Sequence, residues 1–252
     1  MAVTIKSENE IALMRESCHR LADVHIELEK QIVPGISTFE INRIADELIR
    51  GNGGIPNFLD YEGYPASICV SINDEIVHGI PSKDRIVNDG DIVSIDAGLI
   101  YKGYHSDAAR TIAVGNVSDE GRKLIEVTRQ SFFEGIKAAK AGGHLYDISN
   151  AIDDYVKPFG YGIVEDMTGH GIGTSMHEDP MIPNFRQEEI GIYLQPGMTL
   201  AIEPMIDIGT KEIKVSDNGW TVMSADGSLS AHYENTILIT DGEPEILSLI
   251  AD

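Results

Sequence analysis

Asp96, Asp107, His170, Glu203 and Glu234 each lie in or beside an otherwise apolar, strand-like stretch, where an unpaired ionised carboxylate is costly to bury. Four acids and one imidazole in such places need positive partners. The segments SIDAGL, TLAIEPM and HYENTILIT contain no lysine or arginine, so bound metal ions are the more economical source of charge. The pattern is that of a metallohydrolase. Oxygen donors with one nitrogen and no thiolate suit hard or borderline divalent ions such as manganese, ferrous iron or cobalt. Five side chains exceed the three that a single catalytic zinc usually takes, and bridging carboxylates can hold two ions ~3.5 to 4 Å apart. A two-metal site is therefore expected, although any one of these acids taken alone reads as a solvent-facing strand residue.

The elements that carry these residues can be read in turn. Asp96 and Asp107 flank a turn around Tyr101-Lys102-Gly103. A two-residue loop centred on residues 101 and 102, or 102 and 103, gives opposed residues an odd index sum and puts both acids on one face. Glu203, in the run Met198 to Ile206, and Glu234, in the run Ala231 to Thr240, meet if their strands are neighbours. His170 lies in Thr168-Gly169-His170-Gly171-Ile172-Gly173, where glycines permit close backbone approach and unusual dihedrals.

Ser7 and Glu10 form a capping box ahead of Ile11, Met14, Cys18, Leu21, Val24, Leu28 and Ile32, which follow helical spacing until Pro34-Gly35. Ser37 and Glu40 cap a second helix carrying Ile41, Ile44, Ala45, Leu48 and Ile49. β-like runs follow at Ser67 to Ile72, Asp91 to Tyr101 and Tyr104 to Val114. A third helix carries Leu124, Val127, Ser131 and Ala138 up to Gly142-Gly143, and a fourth carries Ile148, Ala151, Ile152 and Tyr155. Sliding the chain by 107 residues sets Gly35 on Gly142, Glu40 on Asp147, Ile41 on Ile148 and Asp46 on Asp153. No linker separates the halves near residue 115, so the expectation is a single α+β domain over residues 1–252, with strands curved around a central site and two helices per half outside.

The 252 residues, 42 % hydrophobic, suffice for a packed core. With 41 acidic against 19 basic residues the formal charge is −22, which repels DNA and anionic membrane surfaces. Cys18 and Cys69 are too few and too far apart to suggest a disulfide framework or a thiolate zinc site. No apolar stretch approaches the ~18 residues of a membrane span and no signal core opens the chain, so a cytoplasmic protein is expected, with a monomer as the default.

His78-Gly79-Ile80-Pro81, Asp96 and Asp107, the glycine-flanked His170, His177-Glu178-Asp179-Pro180, Ile202-Glu203-Pro204 and Glu234-Asn235-Thr236 together closely resemble the type I methionine aminopeptidases, from about the first helix to Thr240. The resemblance implies the pita-bread fold, with pseudo-twofold halves, and a dinuclear centre of manganese, iron, cobalt or zinc. It implies removal of the initiator methionine from nascent proteins and peptides whose second residue is small. Asp96, Asp107, His170, Glu203 and Glu234 become the ligands, Asp107 and Glu234 bridging both ions. A metal-bridging hydroxide is the implied nucleophile, with Glu203 as proton shuttle. His177 then contacts the peptide carbonyl, and His78 lies near the scissile amide.

The same resemblance places Phe58, Tyr61, Tyr64, Cys69, His78, Met176 and Trp220 around the methionine side chain, although plain core packing is the simpler account of each aromatic. The chain departs from the commoner family pattern at Phe58, where cysteine is frequent, and at Met176, where phenylalanine is frequent. His105 and His232 each lie two residues before a proposed ligand and are expected near the site rather than on the metal. The acidic chain disfavours stable ribosomal RNA binding and leaves only a transient ribosome encounter. Three other readings compete. One is an Xaa-Pro peptidase on the same fold, which usually carries an additional amino-terminal domain. The others are a pita-bread binding module without catalysis and a structural calcium site.

Overall fold

In the computed structural model of the chain, residues 3–249 are described, so the outermost positions of the expected 1–252 domain lie outside the described residues. Helix α1 (Glu8–Glu29) starts where expected: the Ser7 N–H donates to Glu10 Oε2 at 2.8 Å, and the two acids of its first turn complement the helix dipole. Its buried face carries Ile11, Met14, Cys18, Leu21, Val24 and Leu28, while Ile32 is buried beyond its end. Helix α2 (Thr38–Gly51) is capped by Ser37 Oγ, which accepts from the Glu40 N–H at 3.1 Å. Helix α3 (Asp119–Ile136) stops before Ala138, whose N–H turns back to the Gly135 carbonyl. Helix α4 (Leu145–Val156) follows the paired glycines.

The strands assemble around a nine-stranded antiparallel sheet whose main path runs Ile55–Pro56, Ile92–Tyr101, Tyr104–Ala113, Glu234–Leu238, Thr199–Ile202, Gly169–Gly171, Glu178–Ile182. Both halves therefore share one sheet, joined where the Asp107 strand pairs with the Glu234 strand. Alternation along each strand separates core from site. Val93, Ile95, Ala97 and Leu99 pack with residues of α1 and α2, while Leu200, Ile202 and Ile237 pack with residues of α3 and α4. Asp96, Ala201 and Glu234 take the alternate positions.

The 107-residue offset is structural. An isolated bridge joins Ser37 to Ile86, and its counterpart joins His144 to Tyr193. The Gly35 N–H donates to the Val87 carbonyl as the Gly142 N–H donates to Leu194, and both glycines have positive φ, 96° and 84°. The offset also carries Asp96 onto Glu203, a correspondence between two proposed ligands that sequence reading missed.

Two apolar runs read as continuous are broken. Thr199–Ile202 belongs to the large sheet, but beyond Glu203-Pro204 the strand Met205–Asp207 joins a three-stranded sheet with Ser230–His232 and Gly162–Ile163. Tyr233 separates Ser230–His232 from Glu234–Leu238 in the same way. Pro204 has no N–H to continue a ladder, and its carbonyl accepts from the Tyr233 N–H at 3.2 Å. Glu203 and Glu234 thus stand at one corner, where both strands change sheets.

Candidate metal centre and substrate pocket

The loop joining the Asp96 and Asp107 strands is Lys102-Gly103, with both φ angles positive and Tyr101 opposite Tyr104, the two-residue hairpin that parity required. Register then lays the proposed ligands in two rows across one face. The first runs from Cys69 to its partner Asp96, on to Ala109 and then to Glu234; Glu203 lies one step beyond the last paired residues, Asn235 and Ile202. The second runs from Gly98 to Asp107, then to Thr236, Ala201 and His170. The methyls of Ala109, between Asp96 and Glu234, and of Ala201, beside His170, leave room where larger side chains would fill it, while Asn57 takes the space over Gly98.

The ligand atoms of Asp107, His170 and Glu234 lie within 4.8 Å of one another. His170 Nε2 is 3.6 Å from Glu203 Oε1 and 3.9 Å from Asp107 Oδ2. The other ring nitrogen, Nδ1, sits 2.9 Å from the Gly171 carbonyl; because a carbonyl only accepts, Nδ1 carries the proton and Nε2 presents a lone pair to the acids. Glycines on either side let this strand fit, since a Cβ at Gly169 would sit 2.4 Å from the Ala201 carbonyl oxygen and one at Gly171 2.2 Å from that of Asp179. Their φ angles are not positive, so close approach, and not unusual dihedrals, explains them.

Burial raises the Asp96 carboxyl to about 7. Asp107, Glu203 and Glu234 are pushed well above the carboxylate range by burial first and then by one another's charge. Four such acids cannot all ionise without a cation. Among the described residues, Asp96 Oδ1, Asp107 Oδ1 and Glu234 Oε1 are buried without a hydrogen-bond partner. Orphaned carboxylate oxygens grouped around an imidazole lone pair fit a divalent ion. Burial also holds His170 down at about 4, in the neutral form that ligation needs.

These groups line one cavity together with Phe58, Tyr61, Tyr64, Cys69, His78, Met176, His177 and Trp220. Every pocket residue expected from sequence lines it. Phe58, Tyr64, Cys69 and Met176 form a buried apolar cluster against which Tyr61, Ile80 and Trp220 pack, and the Tyr64 and Trp220 rings meet edge to face at 5.2 Å. The Tyr61 hydroxyl and His177 Nδ1 share a hydrogen bond of 3.0 Å. His78 holds a φ of 60°, strained for a residue with a Cβ. Burial lowers the pKa values of both His78 and His177, keeping neutral imidazoles beside the acids.

A family model for metallopeptidase family M24 matches residues 12–241. The chain belongs to this family, among its methionine aminopeptidases. It is 51% identical to the methionine aminopeptidase of Clostridium acetobutylicum over 98% of this chain and 99% of that one. The crystal structure of methionine aminopeptidase from Thermotoga maritima superposes with a TM-score of 0.96 at 40% identity, covering 99% of this chain and 100% of the other. Prolidase from Pyrococcus furiosus gives 0.79 at 26% identity, with 98% of this chain covering 66% of that one. The pita-bread fold of the M24 enzymes is thus established, and the family's use of divalent metal agrees with the donor set.

Two further residues of this M24 enzyme, Glu62 and Arg110, adjoin the site without having been legible as part of it. Glu62 lines the pocket as an exposed acid at a φ of 51°. Arg110 donates to the backbone carbonyl of Glu234 and, at 2.6 Å, to Asn235 Oδ1, pinning the Glu234 strand. His105 shares the Asp107 face but pairs with Asn57 Oδ1 at 2.5 Å and does not line the cavity. His232 is fully buried, with Nε2 3.8 Å from Glu203 Oε2. A second cavity adjoins the first, sharing His78, Asp96, His170, His177 and Glu203 and opening past Asp166, Met167 and Met181. No described helix is long and apolar enough to cross a membrane.

Proposed function

We propose that this M24 peptidase removes the initiator methionine from new proteins and peptides whose second residue is small, working as a monomeric single domain in the cytoplasm on chains met at or near the ribosome. The observation that carries this reading is the apolar pocket of Phe58, Tyr64, Cys69, Met176 and Trp220, which ends on the five converging candidate ligands. A thioether side chain suits such a pocket. Asp96, Asp107, His170, Glu203 and Glu234 would hold two divalent ions, manganese, iron, cobalt or zinc. Bound there, the ions supply Lewis-acid polarisation of the scissile carbonyl and a nucleophile usable near neutral pH.

The chain's own groups do the rest. Glu203 accepts a proton from the attacking water on a carboxylate oxygen and returns it to the leaving amine. In the role assigned to it, His177 accepts a hydrogen bond on Nδ1 from the Tyr61 hydroxyl and presents Nε2–H to the carbonyl oxygen as charge develops there. His78 steadies the leaving side of the amide. Phe58 and Met176 close the methionine pocket at positions where the resemblance makes cysteine and phenylalanine frequent.

The test compares turnover of Met-Ala-Ser and of an Xaa-Pro dipeptide by the wild type and Glu203→Gln, each loaded in turn with manganese, iron, cobalt or zinc. Cleavage of Met-Ala-Ser by the wild type alone is expected. Cleavage of only the Xaa-Pro dipeptide overturns the substrate assignment, and equal inertness of both proteins on several Met-peptides points to a binding module.

A further inference from the structure

Glu203 lies between two imidazoles. His170 Nε2 approaches Oε1 at 3.6 Å and His232 Nε2 approaches Oε2 at 3.8 Å. The two rings differ in what they can offer. His170 has its proton fixed on Nδ1 by the Gly171 carbonyl, so the nitrogen it turns toward Glu203 is a lone pair. His232 has neither ring nitrogen in a hydrogen bond, although the residue is 1% exposed. A buried imidazole with both nitrogens unpaired is costly and calls for an explanation.

The backbone of His232 is held firmly. Its N–H donates to Thr111 Oγ1 at 2.9 Å, and the same hydroxyl donates back to its carbonyl at 2.8 Å. The ring therefore projects from a fixed point, at the end of a strand that stops at Tyr233. Closing 3.8 Å to the ~2.9 Å of an N–H···O bond takes a shift of about 1 Å, and such bonds in a ligand-free catalytic site commonly tighten only in the working complex.

We propose that His232 is a positioning residue for Glu203, its Nε2–H donating to Oε2 and thereby fixing the rotamer that leaves Oε1 free to face the metal site and the substrate. The inference rests on the role of Glu203 given under Proposed function. It assigns His232 no contact with substrate and no part in ligation. Groups that orient a ligating carboxylate typically contribute ~10–100-fold to metal affinity or activity.

The experiment compares His232→Leu, which keeps bulk and loses the donor, with His232→Gln, which keeps a side-chain N–H. Met-Ala-Ser turnover, Co2+ absorption spectra and Mn2+ titration calorimetry are measured on each, together with the melting temperature of the chelated protein. Expected for His232→Leu are a fall in kcat of ~10-fold or more, little change in KM, and an altered Co2+ spectrum or weaker Mn2+ binding. His232→Gln recovers most of the kcat and the spectrum. A Leu variant indistinguishable from wild type in kcat and spectrum overturns the proposal, as does a Gln variant as impaired as Leu while melting like wild type. Failure here is separable from failure of the functional reading, which would show as activity retained by Glu203→Gln.

Discussion

Asp107 and Thr236 are tied backbone to side chain across the junction of the two halves: the Asp107 N–H donates to Thr236 Oγ1 at 3.1 Å, and that hydroxyl donates to the Asp107 carbonyl at 2.9 Å. One buried hydroxyl therefore satisfies both polar groups of a proposed ligand's backbone where the Asp107 and Glu234 strands meet. Thr236→Val keeps the shape and strands both groups. A loss of about 1 to 3 kcal/mol is expected in urea unfolding, with weaker Mn2+ binding as Asp107 loosens. Unchanged stability would show that the hydroxyl is dispensable.

Ala109 lies directly opposite both Asp96 and Glu234, on the strand between theirs. Its methyl is small enough to let the two carboxylates converge over it. Ala109→Leu should fill the space where an ion would be held, abolishing Mn2+ binding by calorimetry and turnover with it. Overpacking at this buried position should cost about 1 to 3 kcal/mol in unfolding free energy. Metal affinity within twofold of wild type would place the cation elsewhere.

Local rules carried much of this arrangement. The Ser7 and Ser37 caps placed the first two helices, and the odd-sum parity of the Lys102-Gly103 hairpin put Asp96 and Asp107 on one face, because hydrogen-bond geometry and the two-residue pleat act within a few positions. The breaks at Glu203-Pro204 and at Tyr233 were hidden. An apolar run looks the same whether it feeds one sheet or two, and the contact that aligns the breaks, Tyr233 N–H to the Pro204 carbonyl, is long-range. The correspondence of Asp96 with Glu203 lay in the same 107-residue offset that related the helices, but an aspartate matched to a glutamate carries little signal until the strands are known. The His105 ring shows the limit of face arguments: it shares a face with Asp107 and lies near His177, as expected, but pairs with Asn57 Oδ1 and stays off the cavity wall.

Asp207 is wholly buried in the small sheet beside the site, and burial raises its carboxyl to about 7 from an ordinary value near 3.8. The ionised form is therefore disfavoured in the folded state. The penalty is absent below the ordinary value, grows as pH rises and is complete above about 7, reaching roughly 4 kcal/mol. Asp207→Asn removes it. Urea unfolding of both proteins loaded with Mn2+ should show the variant's advantage growing from pH 4.5 to 7 and flat above. A constant difference across that range would refute this account.

Chelation should stop turnover while leaving the helices folded, because the two large cores beneath the sheet do not depend on the metal ligands. It should also change how stability depends on pH. Without cations, Asp96, raised to about 7, and Asp107, Glu203 and Glu234, each raised well above its ordinary value, face one another in a buried site. Raised carboxyl pKa values mean that ionisation costs stability above the ordinary range, and that protonation relieves the cost as pH falls through the folded values. The gap in melting temperature between Mn2+-loaded and chelated protein should be widest near pH 7 or above and shrink toward pH 5, with far-ultraviolet circular dichroism showing retained helix in both. Global unfolding on chelation at pH 7 would make the metal a structural requirement of the fold, and a gap independent of pH would mean that the four acids do not share one site.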